Sequence, residues 1–294
     1  MFLKIALLNV IVLSMAITVV GQKPNPYQPD FSSPPKKAGY NLIWHDEFNI
    51  NGKPDSTNWV YETGFVRNEE LQWYQPQNAN CVNGVLLIQG KKEKVKNPAY
   101  QPGNADWKLN REYANYTSAS IQTRTMHQWQ FGSIEVRAKI DTALGAWPAI
   151  WTLGTKGEWP NNGEVDIMEF YRVQQQPAIL ANVAWGTATR FKAKWHTEIH
   201  PLSRFLANDA DWPNKFHVWR MDWSKEAINL YIDDVLLNTT MLSETLNDNG
   251  TNPFLQPHYL LLNLAMGGNG GNPSGMQHPI TYQVDYVRVY QQEP

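Results

Sequence analysis

One cysteine, Cys81, stands in 294 residues. No intramolecular disulfide framework and no cysteine-based zinc site can therefore be built. Charge of one sign is equally scarce: 25 Lys and Arg against 27 Asp and Glu leave a formal net charge of -2. That balance offers no electrostatic pull toward nucleic acid or an acidic membrane surface. No long amphipathic helix and no repeat of fixed period can be traced. The stretch His196-Thr197-Glu198-Ile199-His200 sets two histidines four apart, but its Glu is not at the His-Glu-x-x-His position and a third ligand is missing. The glycine-rich run 267–273 precedes no helix and misses the dinucleotide-binding spacing.

The long apolar run at the N-terminus covers residues 5–20, after Lys4 and before Gly21-Gln22. A basic start, a short apolar run and a small residue at the cut describe a secretory signal over residues 1–21. A membrane anchor is the alternative, but the run is short and Gln22-Lys23-Pro24-Asn25-Pro26 lacks a stop-transfer basic cluster. Export to the periplasm or the medium is expected, with no membrane span after cleavage. Residues 22–39 hold five prolines and read as a flexible or extended lead. The folded domain is expected over residues 40–294.

What the chain has in quantity is short alternating segments. Ile134, Val136, Ala138 and Ile140 share one face of residues 131–140, with Glu135, Arg137 and Lys139 on the other. The same period of two recurs at 117–125, 216–223, 228–232 and 284–290. Asn83-Gly84 and Asp233-Asp234 mark tight hairpin turns. Many short strands separated by turns predict an all-β sandwich, with residues 91–111 as a loop on its rim.

Aromatic side chains are abundant, 13 Trp and 13 Tyr. Some must be core. A surplus of indoles also suits a groove that stacks sugar rings, because each joins a large apolar face to a polar N–H. Trp147 and Trp151 stand in Gly145-Ala146-Trp147-Pro148-Ala149-Ile150-Trp151, Trp159 in the turn 159–163, and Trp185 on the next strand. Each is a candidate for the groove wall, with core packing as the alternative.

The turn at 159–163 leads into Glu164-Val165-Asp166-Ile167-Met168-Glu169. In a regular strand Glu164 and Asp166 share a face, and Glu169 falls on the buried side, where an unpaired carboxylate is costly. One extra residue at Ile167-Met168, a β-bulge, returns Glu169 to the acidic face. Two glutamates flanking an aspartate then suit glycoside hydrolysis, which needs a nucleophile and a general acid/base. A merely solvated acidic strand face is the alternative, though like charges so crowded repel.

Together, Trp-Pro-Ala-Ile-Trp at 147–151 and Gly-Glu-Val-Asp-Ile-Met-Glu at 163–169 resemble glycoside hydrolase family 16, in the bulged-strand branch that includes laminarinases. The resemblance extends to His45-Asp46-Glu47-Phe48, Glu70-Leu71-Gln72-Trp73-Tyr74 and Val284-Asp285-Tyr286-Val287-Arg288-Val289-Tyr290. It implies a jelly-roll β-sandwich with an open concave substrate cleft, in which Glu164 is the nucleophile, Glu169 the acid/base and Asp166 their hydrogen-bonded partner. It places Asn68 on the glycone side of the cleft. It implies a structural calcium held by Glu47, Asp285 and the backbone of Gly84, oxygen donors of the type calcium takes. No cofactor is implied for catalysis, and a monomer acting on a polysaccharide or glycan is expected.

Three departures bear on the sugar. Val66-Arg67-Asn68-Glu69 replaces the family's Trp-Gly-Asn-Asn, Ala184 stands where laminarinases usually carry a histidine, and the run 267–273 lacks tryptophan. The expected activity is a secreted, retaining endo-β-glycosidase acting on β-1,3- or β-1,3-1,4-glucan. An endo-β-galactosidase of mucin-type or algal glycans is the alternative, and a non-catalytic carbohydrate-binding sandwich a third.

Overall fold

A computed structural model describes residues 24–293; the expected signal segment 1–21 lies outside the described residues. The chain forms a jelly-roll sandwich of two sheets. The ten-stranded sheet runs β15 (Val235–Met241), β14 (Ala227–Ile232), β13 (His217–Trp223), β8 (Gly132–Ile140), β17 (Ile280–Gln292), β5 (Val85–Lys96), β6 (Tyr113–Ser118), β3 (Gln72–Tyr74), with β1 (Tyr40–Asp46) beside β17 and β4 (Ala79–Val82) beside β5. The seven-stranded sheet runs β12 (Ala193–Pro201), β11 (Gln176–Gly186), β10 (Glu164–Val173), β9 (Ala146–Gly154), β16 (His258–Met266), β7 (Ser120–Gln122), β2 (Val60–Tyr61). Among the described residues the helices are single turns, the longest being Leu202–Leu206.

Alternation builds the core between the sheets. Ile134, Val136, Ala138 and Ile140 of β8 meet Val165, Ile167 and Met168 of β10 and Ile150 of β9 in one buried cluster. Both expected tight turns are present: Asn83-Gly84 and Asp233-Asp234 have positive φ at each residue, the left-handed pair that a two-residue hairpin requires. The segment expected as one strand at 117–125 is divided at Ala119 between β6 of one sheet and β7 of the other. Strand β5 runs on to Lys96, so the rim loop is shorter than 91–111. That loop braces the cleft: the Arg111 guanidinium donates to the carbonyls of Glu70 at 2.6 Å and Glu69 at 2.8 Å.

The outer face of the ten-stranded sheet departs from the expectation. Glu135, Arg137, Asp285 and Arg288 are buried, because the proline-rich lead lies across them. Arg137 donates to the carbonyls of Gln28 at 2.9 Å and Asn25 at 2.7 Å, and Asp285 accepts from the Asp30 N–H at 3.1 Å. Asn25, Gln28 and Asp30 of the lead thus lie bonded against the sheet. Proline-rich chain has few N–H donors of its own, and its free carbonyls suit a guanidinium.

Candidate active site

The bulge in β10 is where the sequence placed it. Pairing with β9 shifts between Asp166 and Met168, and pairing with β11 between Asp166 and Glu169. Ile167 and Met168 are both fully buried in the core, and each apolar side chain so buried contributes about 1.5–3 kcal/mol. Keeping both inside forces the two glutamates and the aspartate onto the opposite, concave face.

Three rows then cross the sheet. Trp195, Ala184, Glu164, Leu153 and Tyr259 form one; Thr197, Asn182, Asp166, Trp151 and Leu261 the next; Ile199, Leu180, Glu169, Ala149 and Asn263 the third. The acids sit in the middle of each row, at the centre of a cleft of about 990 Å³.

Each acid has a directed donor. The Trp159 indole N–H donates to Glu164 at 2.6 Å and that of Trp147 to Glu169 at 2.7 Å. Asn182 bridges the other pair, donating to Asp166 at 2.9 Å and Glu169 at 3.1 Å. The Glu164 and Asp166 carboxyls are neighbours on this face, and the Asp166 charge raises the pKa of Glu164. No ion pair of the described residues includes any of the three. Desolvation therefore dominates: Glu164 and Glu169 are pushed well above the ordinary carboxylate value, with repulsion from neighbouring carboxylates adding to it, and Asp166 is pushed up to about 6.

One side of the cleft is built by the turn 66–70. Asn68 and Glu69 both have positive φ, which swings Asn68 to the cleft wall, where its amide donates to Glu70 at 3.3 Å. Buried Glu70 also accepts from Gln72 at 2.5 Å and Tyr74 at 3.2 Å, and desolvation raises its pKa. Tyr74 in turn accepts from Asn263 at 3.1 Å, and Asn263 accepts from the Trp151 indole at 2.7 Å. Arg67 pairs with Glu62 and lies 5.0 Å from the Trp151 ring centre. Gly268 approaches Trp147 so closely that a Cβ would sit 3.0 Å from the ring.

The structure brings together Glu164, Asp166, Glu169, Asn68, Trp147, Trp151 and Trp159. Trp147 and Trp151 are each only 7% exposed; they hold polar groups in place more than they offer open faces. Trp185 does not belong to the site. Its neighbour Ala184 faces the cleft, so alternation turns Trp185 into the core between the sheets.

Glu47, Gly84 and Asp285 do not make a calcium cage. Arg288 donates to Glu47 at 2.9 and 2.7 Å, Arg137 occupies Asp285, and Phe31 packs against Gly84. A guanidinium on each carboxylate leaves no convergent oxygen set, and the described residues contain no cluster of three His, Cys, Asp or Glu side chains fit for a metal. His196 and His200 bond instead to Thr240 at 2.8 Å and the Leu237 carbonyl at 3.2 Å.

Sequence reasoning missed Asn182, Tyr171, Asn263, Phe191 and Trp195, which line the cleft with the acids. Asn182 was open to inference, two positions before Ala184 on the same face. The others depend on which strands become neighbours. Chemically, the arrangement supplies one carboxylate able to attack and one carboxyl able to give a proton, on a single strand face, with an aspartate between them.

Comparison with known proteins agrees with this chemistry. The family model Glycosyl hydrolases family 16 matches residues 70–288. A β-glucanase of Rhodothermus marinus is 34% identical, over 87% of this chain and 86% of the relative. A glucan endo-1,3-β-glucosidase A1 of Niallia circulans is 32% identical over 94% of this chain, which spans 43% of that longer relative. A solved structure from work on endo-acting O-glycanases of the human gut microbiota that initiate mucin breakdown superposes with a TM-score of 0.79. It is 34% identical over 88% of this chain and 94% of that one.

Proposed function

The chain belongs to glycosyl hydrolase family 16, and from that premise we propose that it is a retaining endo-β-glycosidase that cuts internal bonds of β-1,3- or β-1,3-1,4-glucan. The observation that carries the reaction is the bulged β10 strand, which aims Glu164 and Glu169 into one cleft with an indole N–H on each. Glu164, ionised, attacks the anomeric carbon while Glu169 gives its proton to the departing oxygen. Glu169 then takes a proton from the water that releases the glycosyl-enzyme. The Trp159 N–H favours the charged form of Glu164, the form that attack requires. The lining residues of the cleft come from five neighbouring strands, β12, β11, β10, β9 and β16, which suits a polymer laid across the sheet.

Glucan as substrate is supported by the two glucan-cleaving relatives. A second reading, galactose-containing mucin-type glycans, is supported by a specific pair of facts. The O-glycanase structure is as similar in sequence as the β-glucanase, 34% in each case, and Arg67 covers a face of Trp151 where the family pattern has glycine. A binding-only sandwich has no need of two glutamates aimed at one bond. Export through the segment 1–21 and action as a monomer belong to the same proposal. N-terminal sequencing of the exported protein and light scattering test them.

Incubation with laminarin, mixed-linkage glucan, agarose-type galactan and mucin glycans, followed by product analysis, decides the sugar. Early formation of oligosaccharides of mixed length from laminarin is the expected result. Proton NMR at early times reads the anomer: a first product of inverted configuration would falsify the nucleophile role of Glu164.

A further inference from the structure

Phe191 and Trp195 line the same cleft as the acids, yet they are 56% and 47% exposed. Of the other indoles at the acids, Trp147 and Trp151 are covered and Trp159 is half-buried, and all three are committed to hydrogen bonds. Large apolar rings left open to water inside a binding cleft are an interaction surface rather than core. Trp195 stands in the same row as Glu164, opposite Ala184, which is opposite Glu164. Two strand spacings put it about 10 Å from the nucleophile's strand, and the small Ala184 keeps the floor between them low. This is the β12 end of the sheet, away from Asn68 and Arg67.

The segment that carries Phe191 is held in place. Phe191 has a φ of +60°, a backbone state that bulky residues avoid and that persists only where the surroundings impose it. Asp248 accepts from the Ala188 N–H at 2.7 Å and from Lys194 at 2.6 Å, and Asn247 accepts from the Gly186 N–H at 2.6 Å. Arg190 reaches across to Glu158 at 2.6 and 2.8 Å, next to Trp159, while its guanidinium lies 4.5 Å from the Phe191 ring centre. The hairpin and the Trp159 turn are thereby tied together on the rim.

We propose that Trp195 and Phe191 form a sugar-stacking subsite at the β12 end of the cleft, binding a pyranose ring of the polymer beyond the ring held at Glu164. The inference rests on the glycosidase reading and deepens it. The occupant follows from continuity with the catalytic cleft: a chain threaded across the row at Glu164 passes over Ala184 and meets Trp195 next. An indole offers its face to the C–H face of a sugar and its N–H to a hydroxyl. Such a subsite makes long chains better substrates than short ones.

The test compares wild type, Trp195→Ala, Trp195→Phe and Phe191→Gly on short and long β-1,3-gluco-oligosaccharides and on short and long mucin-derived galactosyl oligosaccharides. On whichever series the wild type cuts, kcat/KM of Trp195→Ala is expected to fall about tenfold further on the long chain than on the short one, equivalent to ~1.4 kcal/mol. Trp195→Phe keeps most of the preference. Phe191→Gly loses less of it while relieving the left-handed backbone, so its fold is not in question. An identical length preference in wild type and Trp195→Ala overturns the subsite. If the wild type cuts neither series, titration of the long oligosaccharides judges the subsite alone. Weaker binding by Trp195→Ala supports it and equal binding overturns it.

Discussion

On the outer face of the ten-stranded sheet buried Asp285 and half-buried Glu47 pair with Arg137 and Arg288, whereas in the cleft buried Asp166 has half-buried Glu164 and Glu169 as its neighbours. Asp285 and Asp166 show how little a raised pKa says by itself. Burial pushes both to about 6, Asp285 in spite of Arg137. What separates them is the company each keeps. The lone pairs of Asp285 are filled by a guanidinium and a backbone N–H, a closed arrangement with no route to substrate. Asp166 faces a cleft, and its neighbours are two more carboxyls and an amide. The first is a structural joint for the N-terminal lead; the second can move a proton.

The comparison breaks most readily through the two glutamates. Glu164→Gln and Glu169→Gln are each expected to lower kcat by about 10³-fold or more, beyond the middle of the range for acid–base groups, while oligosaccharide binding by calorimetry persists. Full activity in either variant ends the assignment. On the other face, Arg137→Ala leaves Asp285 buried and uncompensated. A loss of about 3–5 kcal/mol in urea unfolding is expected, with kcat of the folded enzyme retained.

Asp166→Asn sharpens the contrast because its effect on stability has the opposite sign. A folded pKa near 6 against the ordinary 3.8 means the native state binds the proton more tightly than the unfolded chain. The stabilising effect of that proton is fully present below pH 4 and is lost as pH rises through 6. A shift of two units corresponds to about 2–3 kcal/mol. Asp166→Asn is therefore expected to be more stable than wild type by about that much at pH 7 and by little at pH 4, measured by thermal unfolding at each pH, while losing activity. A destabilised variant at pH 7 would place Asp166 with Asp285 as a structural carboxylate.

The smallest effect is expected from Trp159→Phe, which keeps the ring and removes the N–H bonded to Glu164. Hydrogen bonds to charged groups contribute about 1.5–3 kcal/mol, so kcat should fall roughly ten- to a hundredfold. The pH profile moves too. Activity is expected to decline on the acid side as Glu164 is protonated, and on the alkaline side as Glu169 loses its proton. Without the indole donor the ionised Glu164 is less favoured, so the acid limb shifts to higher pH. An unmoved limb would show that Trp159 serves only as a wall.

Much of this site was legible before folding. The spacing of Glu164, Asp166 and Glu169 around two apolar residues demanded a bulge, because carboxylates and methylenes cannot share the dry face of a strand. The turns at Asn83-Gly84 and Asp233-Asp234 followed from local backbone preference alone. Trp185 was misplaced although the same alternation could have corrected it: a strand that shows Ala184 to the cleft must turn its neighbour inward. The calcium expectation is not confirmed, for a different reason. Glu47 and Asp285 carry the right donor type, but Arg288 and Arg137 come to them from chain positions that no local pattern connects.

The sequence by itself determined the strands, the bulge and the identity of the three acids, since period, turn chemistry and the cost of burying charge act over a few residues. Tertiary structure decided everything that depends on which strands are neighbours. It set Asn182 between Asp166 and Glu169, laid Arg67 on Trp151, and pinned the lead with Arg137. It also carried Trp195 into the row of Glu164. Those contacts span long stretches of chain, and burial at each one is a property of the assembled sheets rather than of any segment.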